Sequence, residues 1–124
     1  LGEVNSPALK VVYDTGNPIT YGQEPWTYYK AVEKDIVYVH IKDAKKIDGK
    51  DVYTFCGEGD GMVREIVKDL LANGYDGGFS IEPHLAAVIH TGQKASSEDA
   101  LYESYTEYGR RLMKIVEEVR TGTV

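Results

Sequence analysis

The sequence lacks a second cysteine. Cys56 stands alone, so no intrachain disulfide can form, which suits a reducing compartment and makes the cytoplasm the expected location. Free cysteine usually buries, so Cys56 reads as a small apolar residue and not as a nucleophile. Also missing is any run approaching the roughly 18 apolar residues of a membrane-spanning helix, and no segment has the pattern of a signal peptide. Positive charge is short: 14 Lys and Arg stand against 20 Asp and Glu, a net charge of −6. A nucleic-acid groove needs a clustered basic surface, and an anionic membrane attracts one, so neither partner is expected. The densest basic spot, Lys45 and Lys46 with Lys42 and Lys50 close by, reads as a solvated loop. No G-x-G-x-x-G follows the first predicted strand, which turns the reading away from a dinucleotide fold.

What is present, over a length that fits one domain spanning residues 1–124, is an alternation of short apolar runs and amphipathic stretches. Residues 9–13 (LKVVY) predict a strand that ends in the turn-rich DTGNP of residues 14–18. A helix is predicted over 25–34, with Pro25 suited to a first helical position. Residues 36–41 (IVYVHI) are apolar almost throughout, the pattern of a parallel strand covered on both faces. Residues 43–60 read as a polar, glycine-bearing loop. Pairs of apolar residues recur every four positions over 62–72 and predict an amphipathic helix, stopped at Asn73-Gly74. A third strand is predicted over 79–81, a polar linker over 91–98, and a long helix over 98–120 whose packing stripe runs through Leu101, Tyr105, Tyr108, Leu112, Ile115 and Val119. This β-α-β-α-β-α order gives an α/β class with parallel strands and right-handed connections.

Asp14, His40 and Glu82 stand at or near the C-terminal ends of the three predicted strands, the edge at which parallel α/β folds build their sites. Two carboxylates and an imidazole converging there can hold a divalent cation, and such a nitrogen–oxygen set suits Mn²⁺, Mg²⁺, Co²⁺ or Zn²⁺ without choosing among them. Each residue also has a plainer reading. Asp14 can cap the turn that follows it, and a lone histidine in an apolar strand is more often a core residue. Glu82 is harder to dismiss, because a carboxylate ending a buried strand is costly unless paired or metal-bound.

The segments VVYDTGNP (11–18), VYVHIKDA (37–44), CGEGDG (56–61) and GYDGGFSIEPH (74–84) resemble, in this order, the last three βα units of the sugar-phosphate isomerase/epimerase family of xylose-isomerase-like (β/α)8 TIM barrels. The resemblance implies Asp14, His40 and Glu82 as metal ligands, with Glu82 doubling as a catalytic base. It implies Asn17 and Asp43 near the substrate. Lys42 and Lys46 are within plausible reach of its hydroxyls or phosphate, and His84 borders the site beside Glu82. The family's metal stabilises an enediolate while two glutamates handle the proton on opposite faces. The second glutamate, also the fourth ligand, belongs to the strand before that of Asp14. Only residues 1–8 precede that strand here, and Glu3 lies in a connection, so the chain is expected to be an incomplete barrel that is inactive by itself.

A small sugar or sugar phosphate is the implied substrate. Dehydration of an inosose, or phosphodiester cleavage of the endonuclease IV kind, is the alternative on the same barrel. Asn17 stands where the latter enzymes place a metal-binding histidine, which counts against DNA repair. A non-enzymatic fragment or assembly module is the third reading. The loop 57–61 could seat a phosphate at the following helix, but Glu58 and Asp60 would repel it, so a lid or plain turn is expected. Three strands leave unpaired edges and an open apolar face, so association with a second copy, or with the N-terminal part of the barrel, is expected.

Overall fold

A computed structural model describes residues 1–84, 88–89, 93–94 and 98–122. The elements are β1 (Val11–Asp14), α1 (Asn17–Thr20), α2 (Pro25–Val32), a 3-10 turn (Glu33–Asp35), β2 (Ile36–Ile41), β3 (Asp43–Ile47), β4 (Lys50–Thr54), α3 (Val63–Ala72), β5 (Gly78–Ile81), β6 (Val88–Ile89), β7 (Gln93–Lys94) and α4 (Glu98–Thr121). Strands β1, β2 and β5 form one parallel sheet in that order. This is the expected α/β succession, part of a TIM-barrel fold whose barrel is not closed.

The register decides what the sheet presents. Val12 pairs with Tyr38 and Asp14 with His40 on one side of β2, while Tyr38 pairs with Gly78 and His40 with Ser80 on the other. Side chains alternate between faces along a strand. One face therefore carries Val12, Tyr38 and Gly78 in one row and Asp14, His40 and Ser80 in the next. Gly78 makes room for its neighbour, since a Cβ there would lie 2.5 Å from the Tyr38 ring.

The opposite face carries Tyr13, Val39 and Ile41, fully buried with Tyr29 of α2, Val63, Ile66, Val67 and Leu70 of α3, and Tyr108, Leu112 and Ile115 of α4. Among the described residues β2 is thus covered on one face, not both. Val12 and Tyr38 remain 56% and 38% exposed, with no further strand across from them among the described residues.

Helix ends follow local chemistry. The Glu24 carboxylate accepts the N–H groups of Trp26 and Thr27, and Pro25 occupies the first turn of α2. Met62, read as the first helical residue of α3, instead precedes it in the left-handed region at φ 58°. Gly74, at φ 82°, ends that helix.

Three expectations are corrected. Residues 43–54 are an antiparallel hairpin, β3–β4, and not a loop. Asp48 and Gly49, both with positive φ (50° and 75°), make its two-residue turn. On α4, Leu101 and Tyr105 are 48% and 49% exposed, and the buried stripe is Ser104, Tyr108, Leu112 and Ile115. Of the linker read over 91–98, Gln93–Lys94 pairs with Val88–Ile89 and Glu98 begins α4, while 91–92 and 95–97 lie outside the described residues, as does His90.

Candidate metal centre

Asp14 closes β1, His40 lies near the end of β2 and Glu82 follows β5. The parallel register brings all three to the C-terminal edge, with the backbone N–H of Glu82 donating to the Ile41 carbonyl (2.8 Å) and that of Thr15 to the His40 carbonyl (3.1 Å). One ligand atom from each lies within 4.8 Å of the other two, and among the described residues this is the one such cluster of three. His40 Nδ1 is 3.4 Å from Glu82 Oε2.

Asp14 divides its two oxygens between the turn and the cluster. Its Oδ1 accepts the N–H groups of Gly16 (2.8 Å) and Asn17 (3.1 Å), capping the turn. Its Oδ2 faces the cluster, 3.1 Å from the Lys42 ammonium. Turn bonds that fix one oxygen aim the other, as supporting hydrogen bonds do for a metal-binding carboxylate. Burial raises the Asp14 carboxyl above its usual range and the facing Glu82 carboxyl raises it further, while Lys42 and the Gly16 N–H draw it back. Glu82 is held below its usual range by its hydrogen bond with Asp14 and then by the charges of Lys42, His40 and His84. Two carboxylates this close to each other and to an imidazole have the donor chemistry and spacing for a shared cation.

The other expected residues separate into two groups. Asn17, Lys42 and His84 adjoin the trio. Lys42 Nζ donates to Asn17 Oδ1 (2.9 Å) and lies 4.0 Å from Glu82 Oε2. His84 Nε2 is 3.7 Å from Glu82 Oε1, and its ring stacks on Tyr53 at 5.0 Å between centroids.

Asp43 and Lys46 are occupied elsewhere. Asp43 is buried and accepts backbone N–H groups from Ala44, Gly57, Gly59 and Gly61 at 2.8 to 3.1 Å. Burial raises its carboxyl and these four donors pull it back. The N–H groups of the glycine loop thus already hold an internal anion, so they offer no cradle for a phosphate. Lys46 pairs with Asp51 across the hairpin.

Cys56 is buried, and burial pushes its thiol up to about 12. Trp26 and Tyr29 pack ring to ring within α2, and Tyr29 is fully buried, so both belong to helix packing. Of the tyrosines at 102, 105 and 108, only the last is buried.

Two residues beside the site carry no mark in the sequence. Thr15 is buried, its hydroxyl donating to the Lys42 carbonyl (2.5 Å) and accepting the Lys42 N–H (3.0 Å). Tyr53 reaches His84 only because β4 folds back over β3, so the unrecognised Asp-Gly turn was the signal that could have found it.

Residues 1–103 match the family model described as xylose isomerase-like TIM barrel. A xylose isomerase domain protein from Planctomyces limnophilus superposes with a TM-score of 0.71 at 22% identity, over 98% of this chain and 41% of its own. Another, from Alicyclobacillus acidocaldarius subsp. acidocaldarius, gives a TM-score of 0.62 at 18% identity, over 96% and 41%. The chain thus corresponds to 41% of each of those two proteins' length. No curated protein matches the sequence. No helix among the described residues is long and apolar enough to cross a membrane.

Proposed function

Since the chain belongs to the xylose isomerase-like TIM barrel family, we propose that it carries the C-terminal half-site of a divalent-metal-dependent isomerase or epimerase acting on a small sugar or sugar phosphate. The observation that supports this most is the Asp14–His40–Glu82 cluster at the C-terminal edge of the sheet, its ligand atoms within 4.8 Å of one another. When bound, the metal would supply Lewis-acid stabilisation of an enediolate.

The chain's own residues do the rest. Asp14 and His40, fixed by the turn and by the strand, would hold the cation. Glu82, flanked by His40 on one oxygen and His84 on the other, takes a proton from the carbon beside the substrate carbonyl. Asn17 and Lys42 donate to substrate oxygens, and the stacked Tyr53–His84 pair stands beside Glu82 as one wall of the substrate site. Inversion at that carbon needs a second acid–base group on the opposite face, and the described residues put one glutamate in the cluster. The chain alone is therefore expected to bind metal without net epimerisation.

The test is incubation of a whole barrel carrying this segment, with Mn²⁺ in deuterated water, against ketoses, sugar phosphates, a keto-inositol and abasic-site DNA. Exchange of a substrate C–H for deuterium, followed by NMR and lost in Glu82→Gln, is the expected result. Dehydration or strand cleavage in place of exchange, or exchange undiminished in Glu82→Gln, would sink the proposal.

A further inference from the structure

Lys42 has a dedicated seat. Its backbone is clasped on both sides by the Thr15 hydroxyl. Its stem runs across Gly16, where a Cβ would lie 2.7 Å from Lys42 Cγ. Its ammonium reaches Asp14 Oδ2 and Asn17 Oδ1 at 3.1 and 2.9 Å and stands 4.0 Å from Glu82 Oε2, with the side chain 9% exposed. The ammonium thus touches one of the three clustered side chains and stands just beyond hydrogen-bond reach of a second, on the oxygens that face inward.

We propose that Lys42 is the resident cation of this cluster: it keeps the two carboxylates together and sets how tightly a divalent cation binds by competing for Asp14. The proposal rests on the reading of Asp14, His40 and Glu82 as a metal centre. Asp14 and Glu82 bring two negative charges and Lys42 offsets one of them. An entering dication must take Asp14 Oδ2 from the ammonium and then sit close to a like charge in a partly desolvated site, where such repulsion is far stronger than in water. The four-carbon stem can withdraw the ammonium without moving its clasped backbone. The site then binds metal reversibly, and its affinity is a property of Lys42 as much as of the ligands.

Titration of the chain with Mn²⁺, read from the electron paramagnetic resonance signal of the free ion, tests this on wild type, Lys42→Met and Lys42→Arg. Lys42→Met is expected to lower the Kd by about tenfold or more, while Lys42→Arg, which keeps the charge, stays within about threefold of wild type. An unchanged or higher Kd in Lys42→Met overturns the proposal. Asp14→Asn and His40→Ala separate it from the metal reading. If wild type binds Mn²⁺ through these residues and Lys42→Met does not tighten it, only the role of Lys42 fails. If neither wild type nor Lys42→Met binds, both fail. Should Lys42→Met not fold, the ¹⁵N-labelled Lys42 ammonium of the wild-type chain serves instead. One equivalent of Zn²⁺ is expected to shift its resonance or abolish its protection from exchange, and an unmoved resonance in the metal-bound chain rejects the proposal.

Discussion

Asp43 accepts four backbone N–H groups on one buried carboxylate, and three of them come from the glycine loop. An amide of the same shape keeps one acceptor oxygen and turns an NH₂ toward those donors. Asp43→Asn is therefore expected to cost about 2–3 kcal/mol in urea denaturation, the range for leaving buried donors unpaired. A loss near zero would mean the carboxylate does not hold the loop.

Cys56 offers a pH test. Its thiol ionises near 9.0 when unfolded and is pushed up to about 12 by burial in the fold. A folded value raised above the unfolded one contributes stability that is full below pH 9 and is lost as pH rises toward the folded value. Between pH 8 and 10, wild type is expected to lose about 1 kcal/mol more than Cys56→Ala, compared by denaturation at both pH values. Equal losses would contradict the burial of an un-ionised thiol.

At the scale of elements, two glycines in the same stretch answer to different constraints. Gly49 needs its positive φ and has open space around it, so Gly49→Ala is expected to cost only about 1 kcal/mol. At Gly59 a Cβ would lie 2.6 Å from the Ala44 carbonyl and closer still to Asp43 Oδ1. Gly59→Ala is accordingly expected to be clearly the more destabilising of the two in thermal melts, and similar melting temperatures would refute the packing described.

The same stretch shows what could be read in advance. Strand β2 and helix α3 were legible because a short apolar run rich in β-branched residues suits a strand and a four-residue apolar repeat suits one face of a helix. The β3–β4 hairpin was not. Lys45, Lys46, Lys50 and Asp51 give its strands the composition of a loop, and only Asp48-Gly49 marks the turn. The cluster was legible in outline because each of its members lies at or beside the C-terminal end of a strand. The clasp of Thr15 on Lys42, the engagement of Asp43 with residues 14 to 18 positions away and the stacking of Tyr53 on His84 depend on register and on how the chain turns back. No spacing in the sequence carries that information.

For the whole molecule, the open face of the three-stranded sheet is the governing feature. Val12 and Tyr38 lie exposed beside each other in register, in a sheet whose outer strands β1 and β5 each keep an edge free to pair among the described residues. We expect the chain to self-associate as its concentration rises, and Val12→Lys with Tyr38→Lys to suppress this in sedimentation velocity. A monomer at every concentration would count against it. The central claim is narrower and concerns Asp14, His40 and Glu82. Native mass spectrometry of the purified chain with Mn²⁺ tests it most directly, with Asp14→Asn, His40→Ala and Glu82→Gln in parallel and circular dichroism checking that each variant is folded. The account predicts one Mn²⁺ per wild-type chain and loss of the ion in each variant. A wild-type chain without metal, or one whose metal survives all three substitutions, would contradict it.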